Sequence, residues 1–142
     1  MLTLTLAQTI VTDILAQARA SGSKPLCIVV LDAGAVPIAL AREDGAGISR
    51  PKLSLDKAEG ALALSMPTRT LAQFHASDPA MHAILREATG KSLLPLAGGV
   101  LIRDAEARVL GAVGVSGGSL DQEEGFAIAA IQRTGLVSDP AT

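Results

Sequence analysis

Few side chains in this sequence can do chemistry, and they fall in separate stretches. Arg42 begins the polar close of a strand, Arg42-Glu43-Asp44-Gly45, Lys57 lies beside apolar positions at helical spacing, and two histidines, His75 and His82, lie seven residues apart. A guanidinium binds a carboxylate through two parallel hydrogen bonds. A lysine beside apolar positions either snorkels its amine to water or sits desolvated, where a lowered pKa lets it act on a carbonyl or an anion. A histidine carries protons near neutrality or donates to a metal. Gly98-Gly99 interrupts an apolar run; glycines inside a strand mark a bulge, a bend or a close approach to the backbone. The single Cys27, inside the run LCIVVLD, reads as an inert buried thiol.

Other chemistry is absent from the pattern. No His-Glu-x-x-His or Cys-x-x-Cys-His spacing occurs, so no metal site is expected from motifs. The break at Asp78-Pro79 keeps His75 and His82 off a common helix face. Gly117-Gly118-Ser119 opens a helix, with Ser119 and Gln122 at capping-box spacing. Its amides attract anions, but Asp121, Glu123 and Glu124 oppose one, and no phosphate loop or dinucleotide fingerprint accompanies it.

The elements that must position these groups follow from periodicity. Thr5 and Gln8 have capping spacing for a first helix with Leu6, Ile10 and Ile14 on its apolar face, ended by Gly22. Leu26–Asp32 is a strand covered on both faces, and Asp32-Ala33-Gly34-Ala35 turns it into Val36–Ala41, where Pro37 demands an edge or a bulge. Pro51 starts a helix ended by Met66-Pro67, with Leu53, Lys57, Ala61 and Leu64 beside Leu55, Ala58 and Leu62. A short segment from Thr68 precedes a helix capped by Asp78 and ended by Gly90, with Met81, Ile84, Leu85 and Ala88 on its apolar face. Two strands, turning at Asp104–Ala107, and a helix from Leu120 to about Arg133 complete one domain over 1–137, with 138–142 a loose tail. The order α-β-β-α-α-β-β-α predicts an α/β (α+β) fold, an antiparallel sheet of four or five strands flanked by helices.

Composition narrows the partners. The 142 residues are 49% hydrophobic and 18% charged, with a mean hydropathy of +0.40, yet no apolar run approaches the ~20 residues of a membrane span. The surplus is expected between chains of a homo-oligomer or at a ligand surface. The net charge of −2 and only two aromatics, Phe74 and Phe126, exclude the electrostatic footprint and stacking platforms of nucleic-acid binders. With no secretory signal and one cysteine, the expected compartment is a reducing cytoplasm.

Four motifs in order, VVLDAGAVPIALAREDGA, the Lys57-Ala58 helix leading to MPTRTL, LAGGVLIRD, and LGAVGVSGGSLDQEE, resemble the GlcG/HbpS family, which includes the C-terminal domain of PduO-type proteins. The resemblance spans nearly the whole chain. It implies a profilin-like or PAS-like α-β-α sandwich assembled into dimers or higher symmetric oligomers, and a role in binding haem or a related tetrapyrrole. The residues it carries over are Asp32, Gly34, Arg42, Asp44, Lys57, Gly98, Gly99, Gly111, Gly114, Ser116 and Gly117. Arg42, Asp44, Lys57, Gly98 and Gly99 are the ligand-contact candidates, and His75, His82, Met66 and Met81 the available axial donors for haem iron, with Arg42, Arg50, Lys52 or Lys57 for the propionates. The chain departs from the family at Ser49–Lys52 and over Phe74–Lys91, where the pocket rim would lie.

A competing reading is a small-molecule enzyme in which Arg42 or Lys57 fixes a carboxylate, the Gly98-Gly99 amides polarise a carbonyl, and His75, Asp44 or Glu124 transfers a proton. A third is an oligomeric accessory protein without a ligand. The first two require Arg42 and Lys57 to converge on Gly98-Gly99 and enclose a cavity.

Overall fold

The computed structural model describes residues 1–142. Helix α1 (Leu4–Ser21) is followed by a hairpin of β1 (Cys27–Asp32) and β2 (Pro37–Arg42), then by three consecutive helices, α2 (Arg50–Leu64), α3 (Thr68–Ser77) and α4 (Pro79–Thr89). A second hairpin, β3 (Gly99–Arg103) and β4 (Val109–Ser116), leads to α5 (Leu120–Arg133) and β5 (Val137–Asp139). All strand pairs are antiparallel, in the order β2-β1-β4-β3-β5.

This is the expected fold class, with three local corrections. The segment from Thr68 is a full helix, because Pro67 starts it cleanly and Leu71 gives it a buried anchor. The tail expected to be loose continues the sheet instead: Val137, Ser138 and Asp139 pair with Arg103, Ile102 and Leu101, and Ser138 is buried. The first helix is capped by Thr3, whose hydroxyl accepts from the Leu6 amide, two residues before the Thr5 the sequence suggested. The other caps stand where expected, at Gly22, Asp78, Gly90 and Ser119.

Strand β1 sits inside the sheet and is apolar along its length, because both its faces are covered. Ile28 and Val30 face α1 and α5 with Val100, Ile102, Val113 and Val115, while Val29 and Leu31 face α2 with Leu101 and Ala112. Ile10 and Ile14 of α1 are fully buried in the first layer, each contributing roughly 1.5–3 kcal/mol. Pro37 lies on β2, an edge strand whose register with β1 shifts between Val30 and Leu31, as a residue without an amide requires.

The α2 layer is unusually close to the sheet. A Cβ placed on Gly114 of β4 would lie 1.8 Å from the Ser54 carbonyl oxygen, and one on Gly99 would lie 2.5 Å from that of Lys57. Glycine in these strands is therefore a packing requirement, letting a helix backbone rest on a strand backbone. Ser54 completes the contact by donating to the Cys27 carbonyl at 2.8 Å, and burial pushes the Cys27 thiol pKa up, as suits an unreactive cysteine.

Candidate functional site

The candidate residues divide into two groups that do not meet. The first centres on Lys57, halfway along α2, and Glu123, in the first turn of α5. These helices cover opposite faces of the sheet, so their side chains can join only around the end where β3 begins and β4 finishes. There the Lys57 Nζ donates to Glu123 Oε2 at 2.7 Å and to the Val115 carbonyl at 2.9 Å, while Glu123 Oε1 accepts from the Gly117 amide at 2.8 Å. Gly98 leaves the opening: a Cβ there would stand 2.9 Å from Nζ and 3.2 Å from Oε2, and its φ of +117° is a conformation other residues rarely adopt.

Lys57 and Glu123 are 2% and 1% exposed. Burial pushes the Lys57 pKa down, opposed by the Glu123 charge and hydrogen bond; burial likewise pushes Glu123 up, opposed by Lys57 and by the Gly117 amide. The amine does not snorkel, and it lines neither of the two surface cavities. Chemically the pair joins the helical layers.

Arg42 does not approach it. It ends the edge strand β2, exposed to solvent, level with Cys27 and Ser116. Three strand spacings, about 14 Å, separate β2 from β3. Asp44 is also exposed. The outer side of Gly99 is covered by Thr68, whose hydroxyl oxygen accepts from the Gly99 amide at 2.8 Å. The expected cavity between Arg42, Lys57 and Gly98-Gly99 is therefore replaced by a packed seam. Beside it Glu124 is buried against Arg69, with its Oε2 lacking a hydrogen-bond partner.

The second group lies on α3 and α4, where the break at Asp78 that keeps the histidines off one helix face folds the helices back and brings them together. His75 Nδ1 is 3.0 Å from His82 Nδ1, the rings meeting edge to face with centroids 4.6 Å apart. His82 is buried, the only buried residue of α4, and its Nε2 is 2.9 Å from the Leu93 carbonyl. His75 is exposed and its Nε2 has no partner in the chain. The expected apolar face of α4 is uncovered, with Met81 43% and Ile84 58% exposed. It is turned about 100° around the helix from His82.

A cavity of about 490 Å³ opens on the side of α4 away from this face, lined by Ala83, Arg86, Glu87, Gly90, Lys91 and Ser92. A second, of about 340 Å³, lies between the end of α1 and the start of α5, lined by Gly22, Ser23, Lys24, Gly118, Ser119 and Gln122. Both are polar and open, and neither is the apolar slot that encloses a ligand.

A protein-family model described as haem degrading protein HbpS-like matches residues 2–132. The chain belongs to the HbpS-like family. Solved structures agree. The PduOC:heme complex superposes with a TM-score of 0.85 at 20% identity, covering 96% of this chain and 97% of that one. The Klebsiella pneumoniae protein ORFY gives 0.80 at 28% identity, covering 92% and 88%. A double mutant of Streptomyces reticuli HbpS gives 0.78 at 28%, covering 92% and 85%. Among curated proteins nothing matches significantly. Membership in an HbpS-like family supports ligand binding of a haem-related kind at the level of the family, and no helix is long and apolar enough to cross a membrane.

Glu123 was not among the sequence candidates, since it reads, with Asp121 and Glu124, as an acidic group opposing an anion at the helix start. The available signal was its spacing, for Glu123, Ala127, Ala130 and Ile131 recur on one buried face of α5. Leu93 carried no signal, because a carbonyl acceptor can come from any residue.

Proposed function

We propose that the chain is a small-ligand-binding protein whose ligand is haem or a related tetrapyrrole, with the α3–α4 arm as the binding surface and His75 as the iron donor. The observation that carries this is the free Nε2 of an exposed His75 on the same arm as the uncovered Met81 and Ile84. Imidazole is an ordinary axial donor to haem iron, and the apolar stripe of α4 suits a macrocycle. His82 does not compete for the iron, because both its nitrogens are engaged, and Met81 is the second available donor on the arm.

The cation of α4 open to a propionate is Arg86, which has no carboxylate partner and lines the cavity on the side of the helix away from the stripe. Lys57 is committed to Glu123, Lys52 to Asp56, and Arg42 lies on the far edge strand. When bound, haem would supply an iron centre for small-ligand or electron exchange; the chain would supply the donor and exclude water from one face of the ring. Lys57, with its amine closed in the seam, supports a structural role over a catalytic one.

The reading includes assembly into a homo-oligomer, since Leu40 of β2 and Ile84 of α4 are more than half exposed and a single chain offers no enclosed slot. Titration with hemin is expected to give a saturable Soret shift in the wild type, lost in His75→Ala and retained in Arg42→Ala, with sedimentation of the same samples reporting the assembly. A featureless titration at micromolar protein would end the proposal.

A further inference from the structure

The contact between the two histidines has a direction fixed by its far end. The Leu93 carbonyl can only accept, so His82 Nε2, at 2.9 Å, carries the hydrogen. A neutral imidazole has one N–H, which leaves His82 Nδ1 as an acceptor. Its neighbour at 3.0 Å, His75 Nδ1, must then donate. The remaining nitrogen, His75 Nε2, is left with a bare lone pair at the surface.

The support is rigid where rigidity is needed. Leu93 is fully buried and holds a left-handed backbone, φ +45°, although it is not glycine. Its Cα lies 3.5 Å from where a Cβ on Gly60 of α2 would stand, so the segment carrying the carbonyl is pressed against α2. Phe74 packs edge to face on His82 from the α3 side, with centroids 6.5 Å apart.

We infer that His82 is a positioning residue, which through the Leu93 carbonyl holds His75 in the Nδ1–H tautomer and presents its Nε2 as a ready transition-metal donor. The inference rests on the reading of His75 as the iron donor for its purpose, but not for its observation. Histidines that bind metals commonly hydrogen-bond through the other ring nitrogen, and losing that partner weakens the metal 10–100-fold. Here the partner is a second histidine, itself oriented by backbone.

Nitrogen NMR of the metal-free protein with labelled histidine tests it without any ligand. The expected spectrum has His75 protonated at Nδ1, His82 protonated at Nε2, and a nitrogen–nitrogen coupling across the hydrogen bond joining the two Nδ1 atoms. Finding His75 protonated at Nε2, or no coupling, overturns the inference even if hemin binds. The expected tautomers with no hemin binding would leave the relay standing and remove the haem reading.

Two variants extend the test. His82→Leu removes the acceptor and is expected to weaken hemin roughly 10–100-fold and to mix the His75 tautomers, whereas His82→Gln keeps an acceptor oxygen and is expected to recover most of the affinity. Equal affinity for wild type, Leu and Gln variants counts against the inference. Should the Leu variant lose α4 by circular dichroism, the Gln variant and the wild-type spectrum decide.

Discussion

Two polar clusters sit in this protein, and they differ in what remains free. At the sheet end, Lys57 and Glu123 are sealed from water, the amine shared between Glu123 and the Val115 carbonyl and the carboxylate between Lys57 and the Gly117 amide. On the arm, the histidines satisfy each other and Leu93, yet one nitrogen faces solvent. The difference teaches that perturbed titration does not by itself mark a ligand site. Lys57 and Glu123, oppositely shifted by the same burial, belong to the closed cluster, and the open valence lies elsewhere.

The largest effect should come from breaking the closed cluster on one side. Lys57→Met strands a buried carboxylate and is expected to cost about 3–5 kcal/mol, while adding Glu123→Leu should recover most of that, because paired buried charges contribute little net stability. Urea unfolding of both variants measures it. The single variant should also acquire a pH slope. Without the lysine only the Gly117 amide and more distant charge oppose burial, so folded Glu123 is raised further above the ordinary glutamate value of 4.5. The folded state then holds a proton that the unfolded state releases, and stability falls as pH rises from 4.5 toward the raised folded pKa, by up to about 1.4 kcal/mol per unit. A flat profile would mean that Glu123 is solvated.

Next in size is the opening itself. Gly98→Ala forces a Cβ toward Nζ and the Val115 carbonyl in a left-handed conformation, and about 1–3 kcal/mol of destabilisation is expected. The smallest effect belongs to the open cluster, where His75→Ala should cost only about 0.5–1.5 kcal/mol, the worth of its one hydrogen bond to His82, while abolishing hemin binding. A large loss of stability there would dissolve the contrast.

Much of the fold was legible because caps and periodicity are local. Asp78, Gly22, Gly90 and Ser119 ended or began helices where their chemistry demanded. Strand β5 was not, since three residues carry no period, and only their pairing with Leu101, Ile102 and Arg103 makes them a strand. In α2 the rule that apolar residues point inward failed at Ser54, Asp56 and Lys57, all buried while Leu53, Leu55 and Leu62 remain partly exposed. For Ser54 and Lys57 a polar seam with its own partners inverts the pattern, and those partners, on β1, β4 and α5, are far off in sequence. Histidines were legible as candidates; that they touch was hidden, because the Asp78-Pro79 break that parts them in one helix is the bend that joins them in two.

One consequence of Gly98 reaches past the site. By admitting a bond between α2 and α5 around the sheet's rim, it fastens the upper and lower coverings of the molecule to each other as well as to the strands between. Neither covering can peel away alone without exposing a bare charge, so both should open together, in a single all-or-none event.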